Sequence, residues 1–312
     1  MSTTNSTWQR IDFPNLPTPR IGSAFVANPK KKSILLFGGN TSSSGSVNDS
    51  WSLNEPNASK LSLNLLPEER SFAGYTWDEA QQKAVLFGGI GKENLLDDTW
   101  VFDGNLWVKQ QPITSPSPRA YSNLFFDTVR NQTILFGGTS HKKLLNDMWA
   151  WDGTNWKQIL PPNLPLARAG TSLIYDRARQ AALLFGGKIE GGVLNDVWLW
   201  DGSNWVEQQP PNRPAARTDF GMAYNENKQH IVLFGGLSRG QPVNETWIWD
   251  GQNWIQLQPA QSPPKEVIYA PRLVYSPVLQ KIVLYNAFRK KTVATNGTTE
   301  YEEHSECWAL SY

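Results

Sequence analysis

The feature that most constrains this sequence is a repeat with a period of 49 or 50 residues. A Phe-Gly-Gly tripeptide recurs along the chain, together with an acidic residue that stands two places before a tryptophan. The tripeptides begin at Phe37, Phe87, Phe136, Phe185 and Phe234, and a degenerate sixth copy, Tyr-Asn-Ala, begins at Tyr285. Self-similarity at this period indicates six stacked copies of one supersecondary unit.

Each unit reads as four short strands without helical periodicity. In the third unit the first strand follows Arg119, the second covers residues 133–136 and the third begins at Trp149. An Asp152-Gly153 turn then leads to a fourth strand that opens at Trp156. Asp-Gly between apolar strands is a strong hairpin signal, because glycine adopts a positive φ at no steric cost. Repeated four-stranded sheets predict a β-propeller.

The pattern resembles the kelch repeat, in which two glycines follow the second strand and aromatic residues recur on the third and fourth. The resemblance covers about residues 8 to 312 and departs from the family in its frequent tryptophans and its eroded sixth unit. It implies an all-β, six-bladed propeller with four antiparallel strands per blade, in one domain over residues 1–312. Kelch propellers serve as interaction modules and, less often, as enzymes. The predicted blades cover residues 20–66, 70–112, 119–161, 168–210, 217–259 and 268–312.

The two ends of the chain are predicted to meet in the last blade. The sixth unit stops after its third strand, at Trp308, whereas residues 5–10 match the fourth strands that open at Trp156 and Trp205. We therefore expect residues 5–10 to add the outer strand of blade six and to close the ring.

Composition narrows the classes of partner and cofactor. The net charge is +1, from 29 basic and 28 acidic side chains, which argues against nucleic acid or an anionic membrane as the main partner. Cys307 is the only cysteine and the three histidines are scattered, so we expect no disulfide, metal site or cofactor. The sequence contains no apolar run of membrane-spanning length, and a cytoplasmic location is the expectation. The sequence does not predict the oligomeric state.

The residues that recur in most blades are interpreted as structural. A residue type present in nearly every unit is expected to hold the propeller together, with arginine–carboxylate pairs and tryptophans packed between blades. A sugar-binding role for a few exposed tryptophans is the alternative. The repeat arginines lie 17 residues before each Phe-Gly-Gly, at Arg20, Arg70, Arg119, Arg168 and Arg217.

Function is sought where the repeat is broken. Counted from the repeat arginine, positions two and four are predicted to face the central channel, because strand side chains alternate. In blade six the arginine slot holds Ile268, and an arginine appears at position four instead, as Arg272. This arginine is either a structural ion pair with Asp219 or Glu306, or an anchor for a ligand. The other channel residues singled out are Tyr121, Asn123, Phe72 and Ser172.

Loops at one end of the propeller complete the candidate site. The connection between the second and third strands of blade six carries about ten extra residues, roughly 288–303, which predicts a long loop. Variable loops around a rigid ring are a common way to build a pocket. The candidate ligand-binding residues from these loops are Lys188, Arg239, Phe288 and Arg289.

Two classes of function remain open from the sequence. The first is a binding module that recognises a protein partner or a small polar or anionic ligand around blade six and the channel. The second is a cofactor-free isomerase, lyase or cyclase at the channel mouth, with Arg272 as electrostatic anchor, Asp219 as acid/base and Tyr121 as proton donor.

Overall fold

The computed structural model describes residues 6–54, 56–264, 270–293 and 299–312. Six four-stranded antiparallel sheets and two short two-stranded pairs make up these residues. The innermost strands of the six sheets contact one another in cyclic order, from blade one through blade six and back to blade one. This confirms the all-β, six-bladed propeller predicted from the repeat.

The first strand is β1 (Thr7–Ile11). Blade one contains β2 (Ala24–Asn28), β3 (Ser33–Phe37), β4 (Asn40–Thr41), β5 (Gly45–Ser46), β6 (Ser50–Asn54) and β7 (Asn57–Lys60). Blade two contains β8 (Gly74–Asp78), β9 (Lys83–Ile90), β10 (Leu95–Phe102) and β11 (Trp107–Lys109). Blade three contains β12 (Asn123–Asp127), β13 (Gln132–Thr139), β14 (Leu144–Trp151) and β15 (Trp156–Ile159).

The remaining strands complete the ring. Blade four contains β16 (Ser172–Asp176), β17 (Ala181–Ile189), β18 (Gly192–Trp200) and β19 (Trp205–Gln208). Blade five contains β20 (Gly221–Asn225), β21 (His230–Phe234), β22 (Leu237–Ser238), β23 (Gln241–Pro242), β24 (Thr246–Trp249) and β25 (Trp254–Leu257). Blade six contains β26 (Arg272–Ser276), β27 (Lys281–Val293) and β28 (Thr299–Ser311), with β1 as its outermost strand.

Ring closure by the N-terminal strand is confirmed. Strand β1 pairs antiparallel with β28, and Trp8 lies opposite Leu310. Trp8 is fully buried, packs edge-to-face on Phe234 of blade five, and donates a 2.9 Å hydrogen bond to Thr246 Oγ1. The closing strand therefore joins blade six to blade five as well as joining the two ends of the chain.

Each interface between neighbouring blades has its own hydrophobic core, because both faces of every sheet are apolar. Six clusters of buried side chains fill the six interfaces. In blades three to five, tryptophans face each other across the Asp-Gly turn, as Trp151 and Trp156 do with ring centroids 5.4 Å apart. The Trp156 indole also donates to Thr99 Oγ1 in the preceding blade. The tryptophans therefore pack between blades, as the repeat predicted.

The repeat arginines form buried ion pairs within their own blades. Arg119 is fully buried and binds Asp147 through two nitrogens at 2.6 and 2.9 Å, while its Nη1 also donates to the Gly137 carbonyl. The main-chain carbonyl of Arg119 accepts from Gly89 in the preceding blade. The side chain thus stabilises one blade and the main chain links two. The equivalent pairs are Arg20–Asp49, Arg70–Asp98, Arg168–Asp196 and Arg217–Glu245.

The Phe-Gly-Gly motif is explained by this link between blades. A Cβ atom at Gly88 would lie 2.6 Å from the Arg119 carbonyl oxygen, and Gly88 has a φ of +65°. Only glycine fits such a close approach in a left-handed conformation. The strand register shifts at the equivalent glycines of blades two to four, which turns each second strand toward the next blade.

The predicted long loop of blade six is instead a β-ribbon. Strands β27 and β28 stay paired from Ile282↔Leu310 out to Val293↔Thr299, well beyond the ends of their neighbours β26 and β1. The extra residues extend the hairpin because unbroken pairing satisfies the main-chain polar groups that a loop would leave to water. Ile268 lies outside the described residues, and so does the side chain of Arg289.

Candidate functional site

One end of the central channel is encircled by left-handed residues. The position-two residues, one from each blade, all have φ between +46° and +69°. Main-chain hydrogen bonds link neighbours, from the Phe72 N–H to Gly22, from Tyr121 to Phe72, and from Asp219 to Gly170, at 2.7 to 2.8 Å. We call this ring the loop mouth; its residues are Gly22, Phe72, Tyr121, Gly170, Asp219 and Ala270.

The channel wall differs from the alternating pattern expected from the sequence. Consecutive residues of the innermost strands line it, including residues 121–126 and 219–224, and the cavity has a volume of about 520 Å³. Successive side chains of each innermost strand point alternately toward the preceding and the following blade, because the edge of the sheet faces the channel. A Cβ atom at Gly74, for example, would lie 2.3 Å from Leu124 Cδ1 of the next blade.

Crowding between blades explains why Arg272 reaches the channel. Position four faces the next blade and is small in most blades, as Gly74 and Gly221 illustrate. Arg272 is too long for this space, lines the cavity, and places its guanidinium carbon 5.8 Å from the centre of the Tyr75 ring in blade two. Tyr75 is a channel residue that the repeat analysis missed, although it lies one place beyond position four.

Arg272 forms no ion pair with the carboxylates of the described residues, and its buried Nε has no hydrogen-bond partner among them. Glu306, one of the two carboxylates considered from the sequence, instead lies 3.5 Å from Arg10 and accepts a hydrogen bond from the Trp308 indole. The guanidinium thus retains donor capacity toward the cavity, where the side chain is only half-buried.

Two acidic groups at the loop mouth have shifted pKa values. Burial raises the pKa of Asp219, although the hydroxyl of Thr218 donates to it at 3.0 Å and the positive charges of Arg272 and Lys188 oppose the shift. Burial, assisted by the negative charge of Asp219 and opposed by Arg272, raises the pKa of Tyr121 to about 12. The phenol therefore stays protonated at neutral pH, and Asp219 can exchange a proton closer to neutrality than an ordinary carboxyl group.

The other predicted site residues divide into two groups. Phe72 stacks on Tyr121 with ring centroids 4.3 Å apart, and Asn123 and Ser172 line the same cavity. The amide nitrogen of Asn123 is buried without a described partner. Six predicted residues therefore surround one cavity: Arg272, Asp219, Tyr121, Asn123, Phe72 and Ser172.

Three of the four predicted loop residues, Lys188, Arg239 and Phe288, do not line the cavity, and the side chain of Arg289 lies outside the described residues. Lys188 and Arg239 are exposed, and Phe288 is buried at the base of the ribbon, where it stacks on His304 at 5.4 Å. Lys188 still acts on the site electrostatically, through Asp219. The site geometry is consequently that of a channel, with the blade-six ribbon outside it.

The opposite end of the channel contains charged residues that the repeat analysis did not identify. Arg177 forms ion pairs with Glu79 and Glu226, all three of which line the cavity. They stand at position nine of the repeat, directly after the innermost strand, where blades one and six have prolines. The sequence itself carries this signal, because three charges recur at position nine although no repeat motif requires a charge there.

The described ranges contain no group of three or more metal-ligating side chains. Within the same ranges, no helix is long and apolar enough to cross a membrane. What the channel offers is a half-buried cation, a protonated phenol, a carboxyl group of raised pKa and a stacked aromatic pair.

Comparison with protein families agrees with the architecture. A family described as the KLHDC2/KLHL20/DRC7 Kelch-repeats domain matches residues 1–162, just over half of the 312 residues. Curated proteins, by contrast, provide no match to the chain. Kelch propellers are typically protein-interaction modules, which supports a binding function in general terms. Together, the repeat, the six closed blades and this match establish that the chain belongs to the KLHDC2/KLHL20/DRC7 Kelch-repeats domain family.

Proposed function

We propose that this propeller is a binding module whose channel accepts a small ligand with an oxyanion and a planar apolar group. The oxyanion binds Arg272, and the planar group lies against the Phe72–Tyr121 stack. The ligand enters through the loop mouth, and Asp219 and Asn123 orient it.

The observation that carries this proposal is the left-handed backbone of the loop mouth. Two blades place glycine there, whereas Phe72, Tyr121 and Asp219 adopt φ values of +54° to +57°. A non-glycine residue in this region costs about 1–3 kcal/mol, and such strain clusters at functional sites. The fold itself accepts glycine at this position, since Gly22 and Gly170 occupy it. Phe72, Tyr121 and Asp219 therefore place their side chains in the channel at a cost in backbone strain, and Ala270 has the same conformation in blade six.

The chemistry of the ligand is inferred from the groups without partners. Arg272 Nε and the Asn123 amide are buried donors without described acceptors, and the Tyr121 phenol remains protonated. Buried donors require acceptors, and a guanidinium matches a carboxylate with two parallel hydrogen bonds. The aromatic pair and the mainly apolar strand residues around it favour a planar apolar group.

Benzoate tests this proposal, because it combines a carboxylate with a planar ring. We expect chemical-shift perturbations at Tyr121 and Asn123 on titration with benzoate, and much weaker ones with benzyl alcohol. Arg272→Ala should weaken benzoate binding roughly 10- to 150-fold, since a charge-assisted contact contributes about 1.5–3 kcal/mol. Arg272→Lys should recover only part of this loss, because an ammonium lacks the bidentate geometry.

Arg239→Ala is the matched control, since Arg239 is exposed and does not line the cavity. It should leave benzoate affinity within about twofold, as expected for a screened surface charge. Equal losses in Arg239→Ala and Arg272→Ala, or equal binding of benzoate and benzyl alcohol, would show that the channel is not the site.

A second function, cofactor-free proton transfer, is favoured by one observation. Asp219 has a raised pKa and shares the mouth with the proton donor Tyr121 and the cation Arg272. This arrangement suits an isomerase, lyase or cyclase that removes a proton next to a carbonyl group, with Arg272 stabilising the enolate. Phenylpyruvate is a suitable probe: in D₂O the protein should accelerate exchange at its C3, and Asp219→Asn should not. No acceleration by the unmodified protein leaves binding as the function.

A further inference from the structure

The two ends of the channel are closed by different means. At the end opposite the loop mouth, each blade contributes the residue that directly follows its innermost strand. We call this end the turn mouth; its residues are Pro29, Glu79, Thr128, Arg177, Glu226 and Pro277. Three of the six are charged, and these three come from blades two, four and five.

The charged residues form one bridge. Arg177 Nε lies 3.1 Å from Glu226 Oε1, and another guanidinium nitrogen of Arg177 pairs with Glu79. Blades two and five stand opposite each other in a six-bladed ring, and blade four lies between them on one side. A side chain that contacts both Glu79 and Glu226 therefore crosses the opening instead of running along its rim.

The turns that carry the bridge are well defined. In each turn, a side-chain oxygen of the last strand residue accepts a hydrogen bond from the main-chain N–H three residues later in the sequence. These bonds run from Gln81 to Asp78, from Arg179 to Asp176 and from Lys228 to Asn225, at 2.9 to 3.1 Å. Such side-chain caps hold hairpin turns in one conformation. Each member of the bridge therefore follows a strand end whose turn is held by a side-chain hydrogen bond.

The bridge differs from the repeat ion pairs in its exposure. Side-chain exposure is 44% for Arg177, 29% for Glu79 and 38% for Glu226, whereas the Arg119 side chain is 1% exposed. Ion pairs at this exposure contribute little to folding stability. Its three members come from different blades and share one location, the middle of an opening, so a structural role does not account for it.

We propose that Arg177, Glu79 and Glu226 form a latch that closes the turn mouth, so that solutes reach the channel through the loop mouth. The channel is then a blind pocket whose depth is limited by the Arg177 guanidinium. The latch does not depend on the ligand proposed above, because closure is a property of the empty channel.

Thiol labelling measures the closure directly. A cysteine replacing Thr76, which lines the channel two residues before the Asp78 turn, reports access near the latch. A cysteine replacing Ser172, at position four, reports access nearer the loop mouth. The native Cys307 is fully buried and gives little background. The probe is methyl methanethiosulfonate, which is small and uncharged.

We expect Arg177→Ala to accelerate labelling of the Thr76→Cys protein about tenfold or more. The same change should leave labelling of the Ser172→Cys protein within about twofold. Arg130→Ala is the matched control: Arg130 pairs with Asp127 at the corresponding turn of blade three but does not line the channel. It should change neither rate.

Three results would overturn the latch. Unchanged Thr76→Cys labelling in Arg177→Ala would show that the bridge does not limit access. Equal acceleration at both reporter positions would indicate general loosening of the propeller. A large fall in melting temperature for Arg177→Ala would assign the bridge to stability. If Thr76→Cys folds poorly, Val274→Cys provides the equivalent reporter in blade six.

Discussion

Blade three and blade six contain the same repeat but differ in how their arginine and carboxylate side chains are paired. In blade three, Arg119 is fully buried and bidentate on Asp147. In blade six the carboxylate of Glu306 lies 3.5 Å from Arg10, which is 57% exposed, while Arg272 stands in the channel without an ion pair to any described residue. Blade three contains the buried ion pair that blades one to five share, and blade six lacks an equivalent pair among the described residues.

The loss of the standard arginine leaves other traces in blade six. Asn286 stands where other blades have the first glycine of the motif, and it is fully buried with no described hydrogen-bond partner for its amide. The Tyr285 phenol is also buried, and burial raises its pKa. Unsatisfied buried polar groups destabilise a blade. We expect the closing strand β1 to offset this loss through the contacts of Trp8.

The largest effect expected from this comparison concerns that strand. Trp8→Ala should lower the free energy of unfolding by about 4 kcal/mol or more, because it removes a fully buried indole and leaves Thr246 without its donor. Gln9→Ala, at the next and exposed position of β1, should change it by less than about 0.5 kcal/mol. Chemical denaturation measures both, and equal stabilities would mean that ring closure does not support blade six.

The two ion pairs provide the next test. Arg119→Ala should destabilise the protein by about 3 kcal/mol, since it leaves Asp147 without its partner in a largely buried setting. Arg10→Ala, which removes the partner of Glu306 in blade six, should cost less than about 1 kcal/mol, as expected for an exposed pair.

Benzoate affinity tests whether Arg119 has a structural role or belongs to the binding site. Arg119→Ala should leave it within about threefold, because Arg119 does not line the cavity. A comparable loss of stability in both variants would erase the distinction between the blades. Loss of binding in Arg119→Ala without loss of stability would place the site at the repeat arginines instead.

The sequence predicted the repeated part of the molecule well, because a residue that recurs in several blades can be assigned without knowing its surroundings in any one of them. Six copies of one motif identify the strands, the tight turns and the buried arginine–carboxylate pairs, and the match of residues 5–10 to other fourth strands identifies the closure. Residues that occur once have no such support. The ribbon of blade six was expected to be a loop, because strand pairing over residues 286–293 depends on a partner segment and not on local composition.

The site shows the same limit in more detail. The displaced Arg272 could be found from the sequence, because its own blade breaks the pattern. Its contact with Tyr75 could not, since it depends on how far a long side chain extends past blade one. The bridge from Arg177 to Glu79 joins residues almost one hundred positions apart and follows no repeat rule, so only the closed ring reveals it.

The smallest expected effect is a pH dependence that arises at Asp219. Burial raises the pKa of this carboxyl in the folded protein, with Thr218, Arg272 and Lys188 opposing the shift. The folded protein therefore takes up this proton before the unfolded chain does as the pH falls. The unfavourable contribution of the charged carboxylate to stability is fully present above the folded-state pKa and disappears as the pH falls through it.

Ligand binding should follow the same titration. A negative Asp219 repels an anion held by Arg272, so benzoate binding should tighten, by up to about fivefold, as the pH falls from 8 toward 5, where benzoate is still ionised. Asp219→Asn should bind benzoate at pH 8 more tightly than the unmodified protein does, and should show no such trend. Affinity that falls toward pH 5, or a trend that persists in Asp219→Asn, would remove Asp219 from the site and leave Arg272 as its only charged contact among the channel residues considered.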